Sequence, residues 1–338
     1  LLPALARPAH WTIRGARRSV VTTSPIDTII GIIVMKPLLL FPLHLLLFGL
    51  LQVFGLMVSS TYAAATSYAS ICGLSMRPRS PWRAFFDRNA ESDNYIVGGI
   101  DSSNSEFPWI VSFRRHLGGN RVSSHFCAGS IVSDRAIVTA AHCVEDFSSS
   151  SPIVVVVYDS YGQLSMRLIE EVTIHPAYDP RNNDYDLAIV RLQTPFDFAS
   201  ADSHLRPICL PEPGDEVETW PSCIVAGWGV LSFGQKRGPR TLMKTDVQII
   251  EKSVCRRNYM LMTTITSRMF CAGDPEHGNR GTCQGDSGGP LMCLRRDRRY
   301  QLSGVTSWGA NCGLAKYPAV FTDVQKLLRF IEAYATAE

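Results

Sequence analysis

Gly285-Asp286-Ser287-Gly288-Gly289-Pro290 sets one serine among three glycines, near the end of a 338-residue chain. Glycine lets a backbone bend tightly and offer its N–H groups to an oxygen, so this turn suits a reactive hydroxyl whose reaction builds negative charge. The same letters also fit the G-x-S-x-G elbow of the α/β-hydrolases. In that fold the serine comes before its acid and its histidine; here the candidates run His142, Asp186, Ser287. Too little chain follows Ser287 to supply the remaining strands and helices of a hydrolase, and the elbow reading fails.

Working outward, short apolar runs surround this turn: Trp109–Phe113, Ala136–Thr139, Ile153–Tyr158, Leu187–Val190 and Ile224–Ala226. Gly, Pro, Asp and Asn separate them, which predicts an all-β barrel or sandwich from Ile96 onward. Only the tail has helical spacing. Val324, Leu327, Leu328 and Ile331 fall on one face between Asp323 and Tyr334, with Asp323 placed to cap.

Ahead of this region, Met35 to Val58 carries one positive charge and then an apolar run, followed by Ala63-Ala64-Ala65. That layout predicts a signal peptide over 35–65, cleaved after Ala63 or Ala65, with an uncleaved type II membrane anchor as the alternative. Residues 1–34 lack an initiating Met and read as upstream sequence foreign to the protein. Residues 66–95 read as a propeptide or linker, and 96–338 as the catalytic domain. Residues 1–95 hold nine Lys/Arg against four Asp/Glu, while 96–338 hold 24 against 26. The folded part is close to neutral, and nothing in its balance points to nucleic acid. Ten cysteines without a CxxC pair, behind such a leader, predict five disulfides and a secreted, extracellular protein. No Asn-x-Ser/Thr sequon occurs, so N-glycosylation is not expected.

Ile96-Val97-Gly98-Gly99, Thr139-Ala140-Ala141-His142-Cys143, Asp186 to Leu192, Gly227-Trp228-Gly229, Gly285 to Pro290 and Ser307-Trp308-Gly309 together resemble the successive signatures of the chymotrypsin/trypsin-like serine proteases. The resemblance covers 96–338. It implies two six-stranded antiparallel β-barrels, a C-terminal helix, and a triad in the cleft between the barrels. By that resemblance Ser287 is the nucleophile, His142 its base and Asp186 the acid that orients His142. The N–H groups of Gly285 and Ser287 form the oxyanion hole. Asp184, close by, is read as a surface turn residue, and His125 and His175 as structural. Ser307, Trp308 and Gly309 would pair with the substrate backbone. The cysteines would pair as Cys127–Cys143, Cys223–Cys293, Cys255–Cys271 and Cys283–Cys312, with Cys72–Cys209 tethering the propeptide.

The resemblance further implies a zymogen, in which cutting before Ile96 frees an amine to pair with Asp286. Most relatives present Arg or Lys at that bond, whereas this chain presents Tyr95. The pocket position that carries Asp in trypsin-like members is Gly281. Ala319 stands where many relatives have Gly and makes the pocket shallower, while Gly309 leaves its wall open. Cleavage after Leu, Met, Phe or Tyr is expected ahead of Lys or Arg, because an unpaired buried charge is costly. Self-activation at Tyr95–Ile96 follows as a hypothesis. No metal or other cofactor is expected. The expected partners are protein or peptide substrates and inhibitors of the serpin or substrate-like-loop kind, acting on a monomer. Membrane contact is expected only if the leader stays uncleaved. Arg295-Arg296-Asp297-Arg298-Arg299 reads as a solvated hairpin turn, with anion binding as the alternative.

Overall fold

The computed structural model describes residues 68, 70–76, 99–148, 150, 152–159, 161–215 and 222–335. The leader, most of the linker, and the Tyr95–Ile96 pair lie outside the described residues. Contacts divide the chain at Met57–Val58, and every described residue belongs to the second unit. No helix among the described residues is long and apolar enough to cross a membrane.

Six strands close the first barrel: β2 (Ile110–Arg115), β3 (Cys127–Ile131), β4 (Ala136–Thr139), β5 (Ile153–Tyr158), β6 (Leu164–Ile174) and β7 (Ala188–Leu192), in the order β2-β3-β4-β7-β6-β5. The second barrel contains β8 (Cys223–Gly227), β9 (Leu242–Ile250), β10 (Met269–Gly273), β11 (Pro290–Leu294), β12 (Tyr300–Trp308) and β13 (Ala319–Asp323). Their order is β9-β10-β13-β12-β11-β8, and β8 pairs back onto β9 to close the ring; β1 (Ile100–Ser102) adds to the outside of β9. All the ladders are antiparallel. Closure removes the exposed edges that open sheets must protect. This is the two-barrel architecture expected from the motifs.

Both barrels fill with β-branched and aromatic side chains, and β3, β4, β8 and β10 are buried along their whole length. The seam between barrels is aromatic. Phe107 and Trp109 lie 5.7 and 5.8 Å from Tyr300, and the Trp109 indole N–H points at Met292 Sδ, 3.0 Å away. Burying rings of this size contributes about 2–3 kcal/mol each.

Among the described residues, two helices complete the fold. The tail forms a 3-10 turn (Gln325–Leu327) that runs into α2 (Leu328–Ala335), with Val324, Leu327, Leu328 and Ile331 buried. Asp323 ends β13, and its side chain accepts the Lys326 N–H at 3.3 Å. The other helix, α1 (Lys252–Tyr259), has no counterpart in the sequence reading. It has only two turns and buries only Cys255 and Tyr259, too short a stripe to register as helical periodicity. The Cys255–Cys271 bridge fastens it to β10.

Five disulfides are present: Cys72–Cys209, Cys127–Cys143, Cys223–Cys293, Cys255–Cys271 and Cys283–Cys312. The first of these holds residues 70–76 against the second barrel, where Gly73 donates to Pro207 O and accepts from the Tyr300 N–H, both at 2.9 Å. Arg299 closes over this segment, donating to Ser70 O and Cys72 O at 3.0 Å each. Arg295, in the same basic hairpin, pairs with Glu212 and Asp297. Two of the four arginines of the run are therefore engaged within the molecule.

Candidate active site

The geometry of the site starts from strand register. β4 and β7 are antiparallel neighbours with Thr139 opposite Ala188. A residue three beyond Thr139 and another two before Ala188 must then meet at the same end of the barrel. Those residues are His142, in a 3-10 turn (Ala141–Cys143), and Asp186. Cys143 is bridged to Cys127 in β3, which fixes the turn.

His142 Nδ1 lies 2.7 Å from Asp186 Oδ2, and the His142 backbone N–H donates to Asp186 Oδ1 at 3.0 Å. Asp186 is fully buried, and Ser307 donates its hydroxyl to Oδ2 at 2.6 Å. The carboxylate thus accepts three hydrogen bonds, which satisfies an anion taken out of water. Burial pulls the His142 pKa down, but the Asp186 hydrogen bond and charge, helped by Glu145, outweigh it and raise the pKa above its ordinary value. Just before Asp186, Asn183 and Tyr185 adopt positive φ (56° and 53°), a conformation that non-glycine residues rarely take.

Asp184 is not a surface turn residue, as the sequence suggested. It is 9% exposed, ion-pairs with Arg268, and accepts the Thr266 hydroxyl at 2.8 Å. The Arg268 guanidinium also sits 4.5 Å above the Tyr185 ring. Asp184 therefore clamps the loop that carries Asp186 onto the second barrel, a role set by partners more than 80 positions away.

Ser287 is positioned through its backbone. Its carbonyl accepts the Ala128 N–H at 2.7 Å, and the next residue, Gly288, donates to Thr306 O at 2.8 Å. Gly288 has φ 76°, and a Cβ there would crowd Ala140 N at 3.2 Å, so the turn fits under β4 only as glycine. Among the described residues Ser287 Oγ makes no hydrogen bond; such contacts often tighten only when substrate arrives. The N–H groups of the turn divide in two. Those of Asp286, Gly288 and Gly289 donate within the protein, and those of Gly285 and Ser287 have no protein acceptor among the described residues.

Two groups, one buried and one half-buried, support this turn. Asp286 is 2% exposed, and its oxygens accept the N–H groups of Gly229 (2.8 Å) and Cys283 (2.9 Å). A Cβ on Gly229 would strike this carboxyl at 2.5 Å, which explains one glycine of the Gly227-Trp228-Gly229 motif. Burial pushes the Asp286 pKa up from 3.8 to about 6, against the pull of its two N–H donors. His125 is the second group, and its partner was not legible in the sequence. Its Nε2 lies 2.8 Å from Gly285 O, and its Nδ1 lies 2.8 Å from Ser112 Oγ. A carbonyl can only accept, so Nε2 carries the proton and Nδ1 accepts from Ser112. Burial holds the His125 pKa down to about 4, the Gly285 bond opposing and the Arg114 charge assisting, so the ring is neutral near pH 7.

Gly281 is buried next to Gly313, and a Cβ on Gly309 would point at Ala319 Cα from 3.8 Å. Trp308 packs edge-on against Tyr259 with ring centroids 5.0 Å apart. Cys127, His142 and Cys143 lie close enough together to suggest a metal site, but both sulfurs are committed to the disulfide. The described residues therefore offer no set of thiolate donors there.

Residues 96–331 match the trypsin family model. Trypsin Blo t 3 of Blomia tropicalis is 35% identical over 246 residues, which is 71% of this chain and 86% of that protein. Transmembrane protease serine 7 of Mus musculus is 34% identical over 244 residues, 71% of this chain but 28% of the longer protein. With the two barrels and the His142–Asp186 pair at their ends, these similarities settle the family: the chain belongs to the trypsin family and is a serine endopeptidase.

Proposed function

We propose that Ser287, His142 and Asp186 are the catalytic triad, with Gly285 and Ser287 as the oxyanion hole. The observation that carries this reading is the pair of backbone N–H groups, on Gly285 and Ser287, left without acceptors among the described residues in a turn whose other N–H groups are used. Ser287 Oγ attacks the peptide carbonyl while His142 Nε2 takes its proton. The oxygen, now negative, is held by the two N–H groups. His142 then returns the proton to the leaving amine, giving an acyl-enzyme that water hydrolyses by the same steps reversed. Asp186 holds Nδ1–H so that Nε2 is the free base, and it stabilises the imidazolium formed in each step.

The same reading makes the protein a zymogen, secreted and monomeric, with residues 66–95 as its propeptide. After a cut before Ile96 the segment around Cys72 stays attached through Cys209. The new Ile96 amine, charged at neutral pH, pairs with Asp286. Without that cation, ionised Asp286 is a liability. Between pH 4 and 6 the folded chain binds a proton that the unfolded chain has lost, so stability falls as pH rises through that window. From the raised pKa of about 6, the loss is about 3 kcal/mol at neutral pH. Urea unfolding of the uncut chain at pH 4 and pH 7 should show it relative to Asp286→Asn, and the chain cut at Tyr95–Ile96 should not. Parallel pH profiles for the uncut chain and Asp286→Asn would remove Asp286 from this role.

Gly281, with no carboxylate, and the facing Gly309 and Ala319 support an apolar pocket for the residue before the scissile bond. Protein with a free Ile96 terminus should cleave after Leu, Met, Phe or Tyr at least tenfold faster than after Lys or Arg in otherwise identical peptides. Gly281→Asp should reverse that order. A preference for Arg or Lys in the unaltered enzyme would show the pocket reading to be wrong. Inhibitors of the serpin or substrate-like-loop kind are the expected physiological partners.

A further inference from the structure

The strand that follows the proposed activation bond is short. β1 has three residues, of which only Ser102 is buried, and among the described residues it pairs with β9 alone. Its register nevertheless places it close to Asp286. Met243 of β9 faces Asp101 on one side and Gly227 of β8 on the other, and a Cβ on Gly227 would strike Asp286 Oδ1. Asp101 and Gly227 are thus two strand spacings apart, about 10 Å. Ile96 stands five positions before Asp101, and extended chain of that length spans at most about 17 Å. β1 in this register therefore brings Ile96 within reach of Asp286.

A carboxylate bridges β1 to β9 at this point. After β1 the chain turns, with the Glu106 N–H donating to Ser103 O at 2.9 Å, and Phe107 enters the aromatic seam. Glu106, 9% exposed, is thereby folded back over the strand pair. Its Oε2 accepts the Ser102 hydroxyl at 2.9 Å, and its Oε1 accepts from Lys244 Nζ at 2.6 Å. Ser102 ends β1, and Lys244 stands in β9 opposite Ile100. A buried ion pair adds little net stability over apolar packing, and its best-attested use is to fix register. Register is what a three-residue strand with one buried side chain holds poorly by itself.

We infer that the Ser102–Glu106–Lys244 bridge is a positioning device for activation: it holds β1 in register on β9, so that the amine freed at Ile96 reaches Asp286. The inference rests on the zymogen reading above and assigns it residues outside the Asp286 pocket. The amine pairs only while charged, and its ordinary pKa is about 7.7–8.0. Pairing with Asp286 raises that value, so insertion is complete below the ordinary pKa and is lost as pH rises through the raised one. A bridge that favours insertion about tenfold moves the midpoint of that loss up by about one pH unit.

The test compares the full chain, cut before Ile96, as parent, Lys244→Met and Glu106→Gln/Lys244→Met. The double variant leaves no unpaired charge behind, which protects its fold. kcat/KM on a chromogenic amide is followed along the alkaline limb, well separated from the acidic limb that His142 governs. Both variants should lose activity about one pH unit earlier than the parent, a loss of about tenfold at the alkaline end and far less at pH 7. Added Ile-Val dipeptide should act on the uncut forms of all three alike, because a free amine needs no β1. An unmoved limb in the folded double variant overturns the inference, even where activity falls uniformly. So does a weaker dipeptide response in the variants than in the parent, which would put the damage in the Asp286 pocket itself. Equal activity of cut and uncut parent is a distinct result: it removes the zymogen reading, and this inference with it.

Discussion

Ser287→Ala is expected to lower kcat on the order of 10^6-fold, the loss typical when a triad serine is removed. The fold should survive, because the turn is held by backbone bonds from Ala128 and Gly288 rather than by Oγ. Progress curves at high enzyme concentration, with matched unfolding curves, check both halves of the expectation. The variant also tests self-processing. If the protein activates itself, purified Ser287→Ala zymogen keeps Tyr95–Ile96 intact, whereas the parent chain loses that bond in the same preparation. A cut bond in the variant would assign activation to another protease.

Asp186→Asn should cost about 10^4-fold in kcat near pH 7, as this exchange does in triads of this kind. The amide cannot accept from Nδ1–H as a carboxylate does, and its NH2 favours the tautomer with the proton on Nε2, where the base is needed. The pH profile separates this from misfolding. Asp186 helps to raise the His142 pKa, and His142 acts as a base only above that pKa. Removing the charge should therefore move the acidic limb of kcat/KM to lower pH while the plateau drops. A lowered plateau with an unmoved limb would mean that Asp186 acts only as a structural anchor. The neighbouring Ser307 hydroxyl, 2.6 Å from the same oxygen, is placed to sharpen this orientation.

The parts of the site that were legible in the sequence were those written in short segments. Gly285–Pro290 and the short motifs around His142 and Asp186 each lie within a few residues, and five apolar runs marked strands at or next to their observed positions. What escaped depends on partners distant in sequence. Asp184 looks like any turn aspartate until the fold brings Arg268 to it, and His125 has no meaning until Gly285 O arrives beside it. β6 escaped for another reason. Of its eleven residues only Ile169 is buried, so alternation is faint over its length. Disulfide connectivity is likewise absent from spacing, and came only through the family resemblance.

In the proposed mechanism Ser287 becomes covalently acylated with His142 as its base. Cut enzyme treated with a fluorophosphonate, which modifies only an activated serine, and then digested for peptide mass analysis tests this most directly. One adduct per chain is predicted, on the peptide bearing Ser287, and it should be lost in His142→Ala. An adduct on a different serine, or equal labelling of Ser287 without His142, would contradict the account.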